Sequence, residues 1–520
     1  MSTSLRSPTA GDDQAVIIGA GIGGLAAAID LASAGLSVTL IERSTVPGGK
    51  LRQVRVGDAW IDAGPTVFTL RSAFEALFED AGCRLEDFLE LQPVERLARH
   101  AWEQGGRLDL YADSQRSAEA IGDFAGAAEA RRFHQFLHRA ADINATLERT
   151  FMRAQRPNPV SLTHRIGYRN LPALLRIRPF TTLWRALSDY FHDPRLRQLF
   201  GRYATYCGSS PFQAPATLML IAHVEAQGVW QIRGGMHQLA RALEALARQL
   251  GVAFEYGREV SAVETRADGV DGVRTRDGER YPASIVISNA DAAALHRGLL
   301  GNKARRAVPA QRERNRSQSA ITWNLVAKTS GFPLHHHTVF FSRDYPAEFD
   351  AVFRRDTPPE RPTVYVCAQD RQDDSHVTGS ERLLCLINAP ARGDRRPFTD
   401  TEIQQCEQRT FELLERCGLT LQSTADPPAV TTPNEFERLF PGTGGALYGM
   451  ASHGWMASFQ RPPAKTRIPG LYLAGGSAHP GAGLPMAMTS GRLAATQALT
   501  DRTSAKRSSR AATGGGTSTR

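Results

Sequence analysis

A chain of 520 residues, 42% hydrophobic and 22% charged, is long enough for two intertwined domains around large cores and too apolar for a disordered polymer. Its net charge of +9 comes from scattered arginines without a long basic tract, a pattern that gives nucleic acid no docking stripe. The six cysteines (83, 207, 367, 385, 406 and 417) lack CxxC spacing and read as reduced thiols, with neither a disulfide frame nor a metal site expected.

Met1 to Asp13 is polar and has no apolar signal core, so a short mobile leader on a cytoplasmic protein is expected. No apolar run reaches the roughly 18 residues of a membrane span. The first element then follows at once. The buried-type strand Ala15-Val16-Ile17-Ile18 runs into Gly19, Gly21 and Gly24 at GxGxxG spacing, and an Ala/Leu helix extends to about Ala34. Gly19 permits the tight turn, Gly21 admits a pyrophosphate to the backbone, and Gly24 lets helix and strand pack closely. The helix N-terminus then faces the phosphate charge. A second strand, Ser37 to Ile41, ends at Glu42, eighteen residues beyond Gly24, where an acceptor-only carboxylate suits ribose hydroxyls. Gly48 and Gly49 keep the following backbone thin enough to pass beside a long extended cofactor.

Further along, Phe151 to Leu187 carries Arg153, Arg156, Arg165, Arg169, Arg176, Arg178 and Arg185 with no acid among them. Leu171, Leu174, Leu175, Ile177, Phe180, Leu183 and Trp184 interleave with these arginines. Such a basic, apolar and aromatic stretch suits contact with a membrane surface, and equally a lid packed on the protein with its arginines outward. Arg233-Gly234-Gly235-Met236 precedes a helix with Leu239, Leu243 and Leu246, and a strand from Val252 to Tyr256 leads to Glu259-Val260. Ile285 to Ser288 reads as a buried strand closing the domain. Near the C-terminus, Leu471-Tyr472-Leu473 enters Gly475-Gly476, then a Pro/Gly linker, then a helix beginning near Leu484-Pro485-Met486. Its N-terminal partial charge can stabilise negative charge on a bound ring. The Ser/Thr/Gly/Arg-rich residues 501–520 are expected to be disordered.

Three of these stretches resemble the flavin-containing amine-oxidase and phytoene-desaturase superfamily. Glu42-Arg43 with Gly48-Gly49-Lys50-Leu51 resembles its extended fingerprint, and Asp62-Ala63-Gly64-Pro65-Thr66 its turn beside the flavin; Asp62 can equally be a plain turn former. His479-Pro480-Gly481-Ala482-Gly483-Leu484-Pro485 looks like the signature of bacterial carotenoid desaturases, although Gly475-Gly476-Ser477-Ala478 departs from the usual turn before it. Phe191 to Phe200 resembles that family's substrate domain, and Gly64 to Arg71 is most similar to hydroxyneurosporene and methoxyneurosporene desaturases.

The resemblance implies an α/β fold, with a Rossmann-type FAD-binding domain in three discontinuous segments (14–85, 228–291 and 444–500) and an inserted mixed α+β substrate domain (86–227 and 292–443). It implies FAD as cofactor and the lining of its site by Arg43, Gly49, Lys50, Leu51, Gly64, Pro65 and Thr66. Val260 becomes an adenine contact or a plain core valine, and His479 a flavin neighbour or a loop cap. The implied reaction is hydride transfer from an allylic C–H of an acyclic, 1-hydroxylated or 1-methoxylated carotenoid to the flavin, with loss of a neighbouring proton and a new 3,4 double bond. Phytoene desaturation, flavin-dependent isomerisation or saturation, amine oxidation and non-enzymatic binding of prenylated proteins stay open beside it. No side chain stands out as catalytic, and no motif chooses between oxygen and a quinone as electron acceptor. A carotenoid substrate favours peripheral attachment to a cytoplasmic or photosynthetic membrane.

Overall fold

The computed structural model describes residues 14–156, 158–166, 177–372 and 377–514. The leader at 1–13, Arg169, Leu171, Leu174, Leu175 and Arg176 of the basic stretch, and 515–520 lie outside the described residues. A five-stranded, all-parallel sheet forms the first layer, in the order Leu471–Leu473, Ile285–Ser288, Gln14–Ile18, Ser37–Glu42, Ala253–Tyr256. Alternate residues serve two cores. Ala15 and Ile17 face Leu25, Leu31, Leu243 and Ala494 of three helices, Ile22–Ser33, Gln238–Gln249 and Leu484–Gly514. Val16 and Ile18 face Val263 and Val273 of the antiparallel meander Val260–Thr265, Val270–Thr275 and Arg280–Pro282. Burial on both faces explains why these strands read as unbroken apolar runs.

Two expectations need correction. Ile285–Ser288 does not close the domain; it lies between Gln14–Ile18 and Leu471–Leu473. All four of its residues are buried; of the two edge strands, Leu471–Leu473 is buried and Ala253–Tyr256 partly exposed. Nor does irregular chain begin at 501, since the last helix runs to Gly514. Ala505, Lys506, Arg507, Ala511 and Ala512 are good helix formers, which an emphasis on Ser, Thr and Gly undervalues. Lys465 and Tyr472 also anchor that helix by donating to Asp501 (2.8 and 3.0 Å).

A larger sheet lies beyond, in the order Leu419–Ser423, Ser319–Gly331, Glu381–Ala389, Val364–Ala368, His337–Phe341, Arg96–Trp102, Arg107–Tyr111, with Ala429–Thr431 pairing to Ser319–Gly331. Its pairs are antiparallel except where His337–Phe341 meets Arg96–Trp102. Asp400–Arg416 covers one face through Leu413 and Leu414. Ala127–Leu147 and Pro194–Gly201 cover the other through Phe133, Phe136 and Phe200.

The two layers meet at Asp62. Its buried carboxylate accepts the amides of Met236 (2.6 Å) and His237 (3.2 Å), just ahead of the helix Gln238–Gln249. Its carbonyl accepts from Asn324 (3.3 Å) of the large sheet and from Gln369 (2.8 Å), just past the strand Val364–Ala368.

Candidate functional site

A cavity of about 1700 Å³ runs between the two sheets, larger than the roughly 300–1,000 Å³ of a single small-molecule pocket. At one end the strand Gln14–Ile18 delivers Gly19, whose amide donates to Ile41 O (2.8 Å). Gly21 caps the helix Ile22–Ser33 with no side-chain bond and no acid in the first turn, so first-turn amides and the positive helix end are left for an anion. Gly19, Gly21 and Gly23 line the cavity, whereas Gly24 packs against the Gly19 carbonyl instead.

Asn289 is the hub of this corner. A Cβ on Gly23 would lie 2.7 Å from Asn289 Oδ1 and 2.8 Å from the Gly475 amide, so residues from three distant stretches close on one point. Asn289 escaped recognition in the sequence. Its only signal is an amide side chain at the end of a strand that is otherwise wholly apolar but for Ser288.

Glu42 ends the second strand at the same wall. Its carboxylate accepts the amides of Ala20 (2.7 Å) and Ser44 (2.8 Å), and its carbonyl takes the Arg258 amide (3.0 Å). Arg43 and the buried Val260 line the cavity beside it.

Gly49, Lys50, Leu51, Gly64, Pro65 and Thr66 line the same cavity, as do Gly475, Gly476, Leu484, Pro485 and Met486. Burial pushes the Lys50 ammonium below its usual range, and its Nζ donates to Leu447 O (2.6 Å). A second helix, Leu484–Gly514, starts here without an acid in its first turn. Arg461, another residue without a motif, shapes this loop by donating to the carbonyls of Gly476 (2.9 Å), Tyr448 (3.1 Å) and Met450 (2.8 Å). His479 is not a lining residue. Its Nε2 pairs with Phe151 O (3.1 Å), and burial lowers its pKa to about 4. Asp62 likewise serves the junction rather than the cavity.

The far end is walled by Leu218, Leu220, Ile221, Val224, Leu384 and Leu386. Polar groups interrupt this wall at one place. Glu225 accepts from Tyr203 (2.7 Å) and Tyr206 (2.8 Å), and burial raises its carboxyl above the usual range. Tyr365 OH lies 2.7 Å from both Thr66 Oγ1 and His337 Nδ1.

Two helix starts free of acids, a glycine-lined corner and an acceptor carboxylate one strand away make a donor set that fits a flavin dinucleotide. The remaining apolar volume fits a long hydrocarbon.

Comparison with known proteins agrees. Residues 22–499 match the family described as flavin containing amine oxidoreductase. The chain is 53% identical to a hydroxyneurosporene desaturase of Rubrivivax gelatinosus, with 97% of each chain aligned. It is 45% identical to one of Cereibacter sphaeroides, over 95% of this chain and 98% of that one. Among solved structures it resembles an oxidoreductase from Methanosarcina mazei (TM-score 0.56, 16% identity, 92% and 99% coverage) and putrescine oxidase bound to putrescine (TM-score 0.57, 17% identity, 94% and 99% coverage); at those identities the likeness concerns the fold. With a matched family that spans nearly the whole chain, and desaturases as its similar relatives, the chain belongs to the flavin-containing amine oxidoreductases, in their carotenoid-desaturase branch, and is an FAD-dependent oxidoreductase.

Proposed function

We propose that this oxidoreductase introduces the 3,4 double bond into an acyclic carotenoid that carries a hydroxyl or methoxy group on C-1. The observation that carries this reading is the continuity of one cavity, from the glycine corner at Gly21 to apolar walls at Ile221 and Leu384, in a chain 53% identical to a hydroxyneurosporene desaturase.

In this reading Gly19, Gly21 and the first turn of Ile22–Ser33 take the pyrophosphate, while Gly24 keeps strand and helix close. Glu42 takes the ribose, with Arg43 and Val260 on the adenine side. Gly49, Lys50, Leu51, Gly64, Pro65, Thr66, Gly475, Gly476, Leu484, Pro485 and Met486 enclose the ring system. Bound FAD supplies a hydride acceptor, the hard part of the chemistry. The apolar walls hold the polyene extended and exclude water, which supplies most of what positioning can contribute. The start of the helix Leu484–Gly514 offers positive charge to an electron-rich ring.

Peripheral membrane attachment through 151–187 belongs to the same proposal. No described helix is long and apolar enough to cross a membrane. Phe180 is 71% exposed and Trp455 43%, and their rings touch at 5.2 Å. Phe151, Met152 and Arg153 of the same stretch line the cavity, which gives an insoluble substrate a short path from a bilayer.

Purified holoenzyme, mixed anaerobically with 1-hydroxyneurosporene or with phytoene, tests the activity. Bleaching of the flavin band near about 450 nm with a red shift of the hydroxylated carotenoid is expected. Bleaching with phytoene alone moves the enzyme to phytoene desaturation, and bleaching with neither favours isomerisation or saturation.

A further inference from the structure

A hydrocarbon pocket has no need of a guanidinium, yet Arg202 lines this one. It opens the 3-10 turn Arg202–Cys207 and is half-buried. The only hydrogen bond of its guanidinium among the described residues runs from Nη1 to Tyr206 OH (3.2 Å), and no ion pair joins it to a carboxylate. The acid at hand, Glu225, is occupied by the hydroxyls of Tyr203 and Tyr206.

That arrangement fixes the direction of each bond. Tyr206 gives its proton to Glu225, so its lone pair faces Arg202. The guanidinium carbon lies 5.3 Å from the ring centroids of both Tyr206 and Tyr365, within cation–π range. Tyr365 is in turn held through its hydroxyl by Thr66 and His337. Arg202 is therefore pinned while most of its five N–H donors stay unspent. Leu218, Leu220, Ile221 and Val224 line the same cavity and offer no acceptor. Unspent donors on a cavity-lining guanidinium beside apolar side chains favour a ligand that brings an oxygen lone pair.

Position agrees with chemistry. Thr66 follows Gly64 and Pro65 in the loop assigned above to the flavin ring, and the Thr66–Tyr365 bond puts Arg202 at the edge of that region. An oxygen on C-1 is separated from C-3 by only two carbons, so it must lie close to the reacting bond. We propose that Arg202, positioned by Tyr206, Glu225 and Tyr365, is the specificity determinant that reads the C-1 oxygen of the carotenoid. Because Arg202 only donates, a hydroxyl and a methoxy oxygen satisfy it alike, and a carotenoid without oxygen there leaves it unpaired. This inference rests on the carotenoid-desaturase reading.

The test measures kcat/KM of holoenzyme on 1-hydroxyneurosporene and on neurosporene, for wild type, Arg202→Met, Arg202→Lys and Tyr206→Phe, with flavin content and thermal midpoint alongside. Wild type is expected to prefer the hydroxylated substrate by on the order of 100-fold. Arg202→Met should bring that ratio close to unity through the KM of the hydroxylated substrate, and Arg202→Lys should restore part of it. Tyr206→Phe keeps the ring and removes the bridge to Glu225. It should lower the ratio several-fold, and it decides the matter if Arg202→Met does not fold. A ratio unchanged in the variants, or an equal fall on both substrates, overturns the inference while leaving the desaturase reading intact. Turnover of neither carotenoid by wild type removes that reading and this inference with it.

Discussion

The two ends of the cavity are built by different means. Around Gly19, Gly21 and Gly475 the working groups are backbone amides and helix ends, and Asn289 and Glu42 are the main side chains beside them. At the far end side chains do the work, and they come from separate stretches: Tyr203, Tyr206 and Glu225 from one, His337 and Tyr365 from another, Thr66 from a third. A backbone-built site must write small residues at fixed spacing into the chain. A side-chain-built site only needs its members to arrive together, and it leaves no spacing behind.

Substitutions can break or sharpen this contrast. The largest effect is expected from Gly21→Val, whose Cβ would strike Asn289 Nδ2 and crowd the first helical turn; the purified protein should hold less than about a tenth of the wild-type flavin. Flavin content close to wild type in that variant would remove the backbone-built site altogether. Next comes Asp62→Ala, which strands two buried amides, those of Met236 and His237. A stability loss of about 3 kcal/mol is expected in urea denaturation, and a loss under about 0.5 kcal/mol would show that the junction between the halves lies elsewhere.

The third test concerns a buried carboxyl, Glu348, that is bonded to the lining residues Thr363 and Asn388. Burial raises the Glu348 carboxyl to about 7, although Thr363 N and Asn388 Nδ2 donate to it (3.0 and 2.7 Å). A folded pKa above the unfolded value of 4.5 contributes stability that is present below the latter and lost as pH rises through the former. Glu348→Gln should therefore gain about 2 kcal/mol on wild type between pH 5 and pH 8. A difference that stays flat with pH sinks the expectation. Smallest is Glu42→Ala. Since the amides of Ala20 and Ser44 already share its carboxylate, FAD should bind about tenfold more weakly, or about 1.4 kcal/mol, read by titrating apoprotein.

The same contrast explains what the sequence disclosed. The strands Gln14–Ile18 and Ser37–Glu42, the helix Ile22–Ser33 and the helix start at Leu484 could be read because period, glycine spacing and burial all point one way there. Every lining residue assigned from motifs faces the cavity except Gly24, which packs behind it. The neighbour order of Ile285–Ser288 could not be read, because a fully apolar strand looks the same beside either neighbour. Asn289, Arg461 and Arg202 were missed for a related reason. Each draws its meaning from groups far away in the chain, such as Gly475 for Asn289 and Gly476 for Arg461. The eight-stranded sheet was foreseen only as a mixed α+β unit, since Arg96–Trp102 meets His337–Phe341 across more than two hundred residues.

The edge strand Leu471–Leu473 and the helix start at Leu484 have a consequence for how the protein is made. The glycine corner opens with Gly19 but is walled by Gly475, Gly476 and Met486, so a nascent chain has most of its length synthesised before the pocket exists. N-terminal parts of a chain fold first during synthesis, and here they do so around a gap. Under the proposed placement of FAD, cofactor capture waits for the residues that follow Leu471, and a ribosome that stalls before them leaves an unpaired sheet edge at Ile285–Ser288.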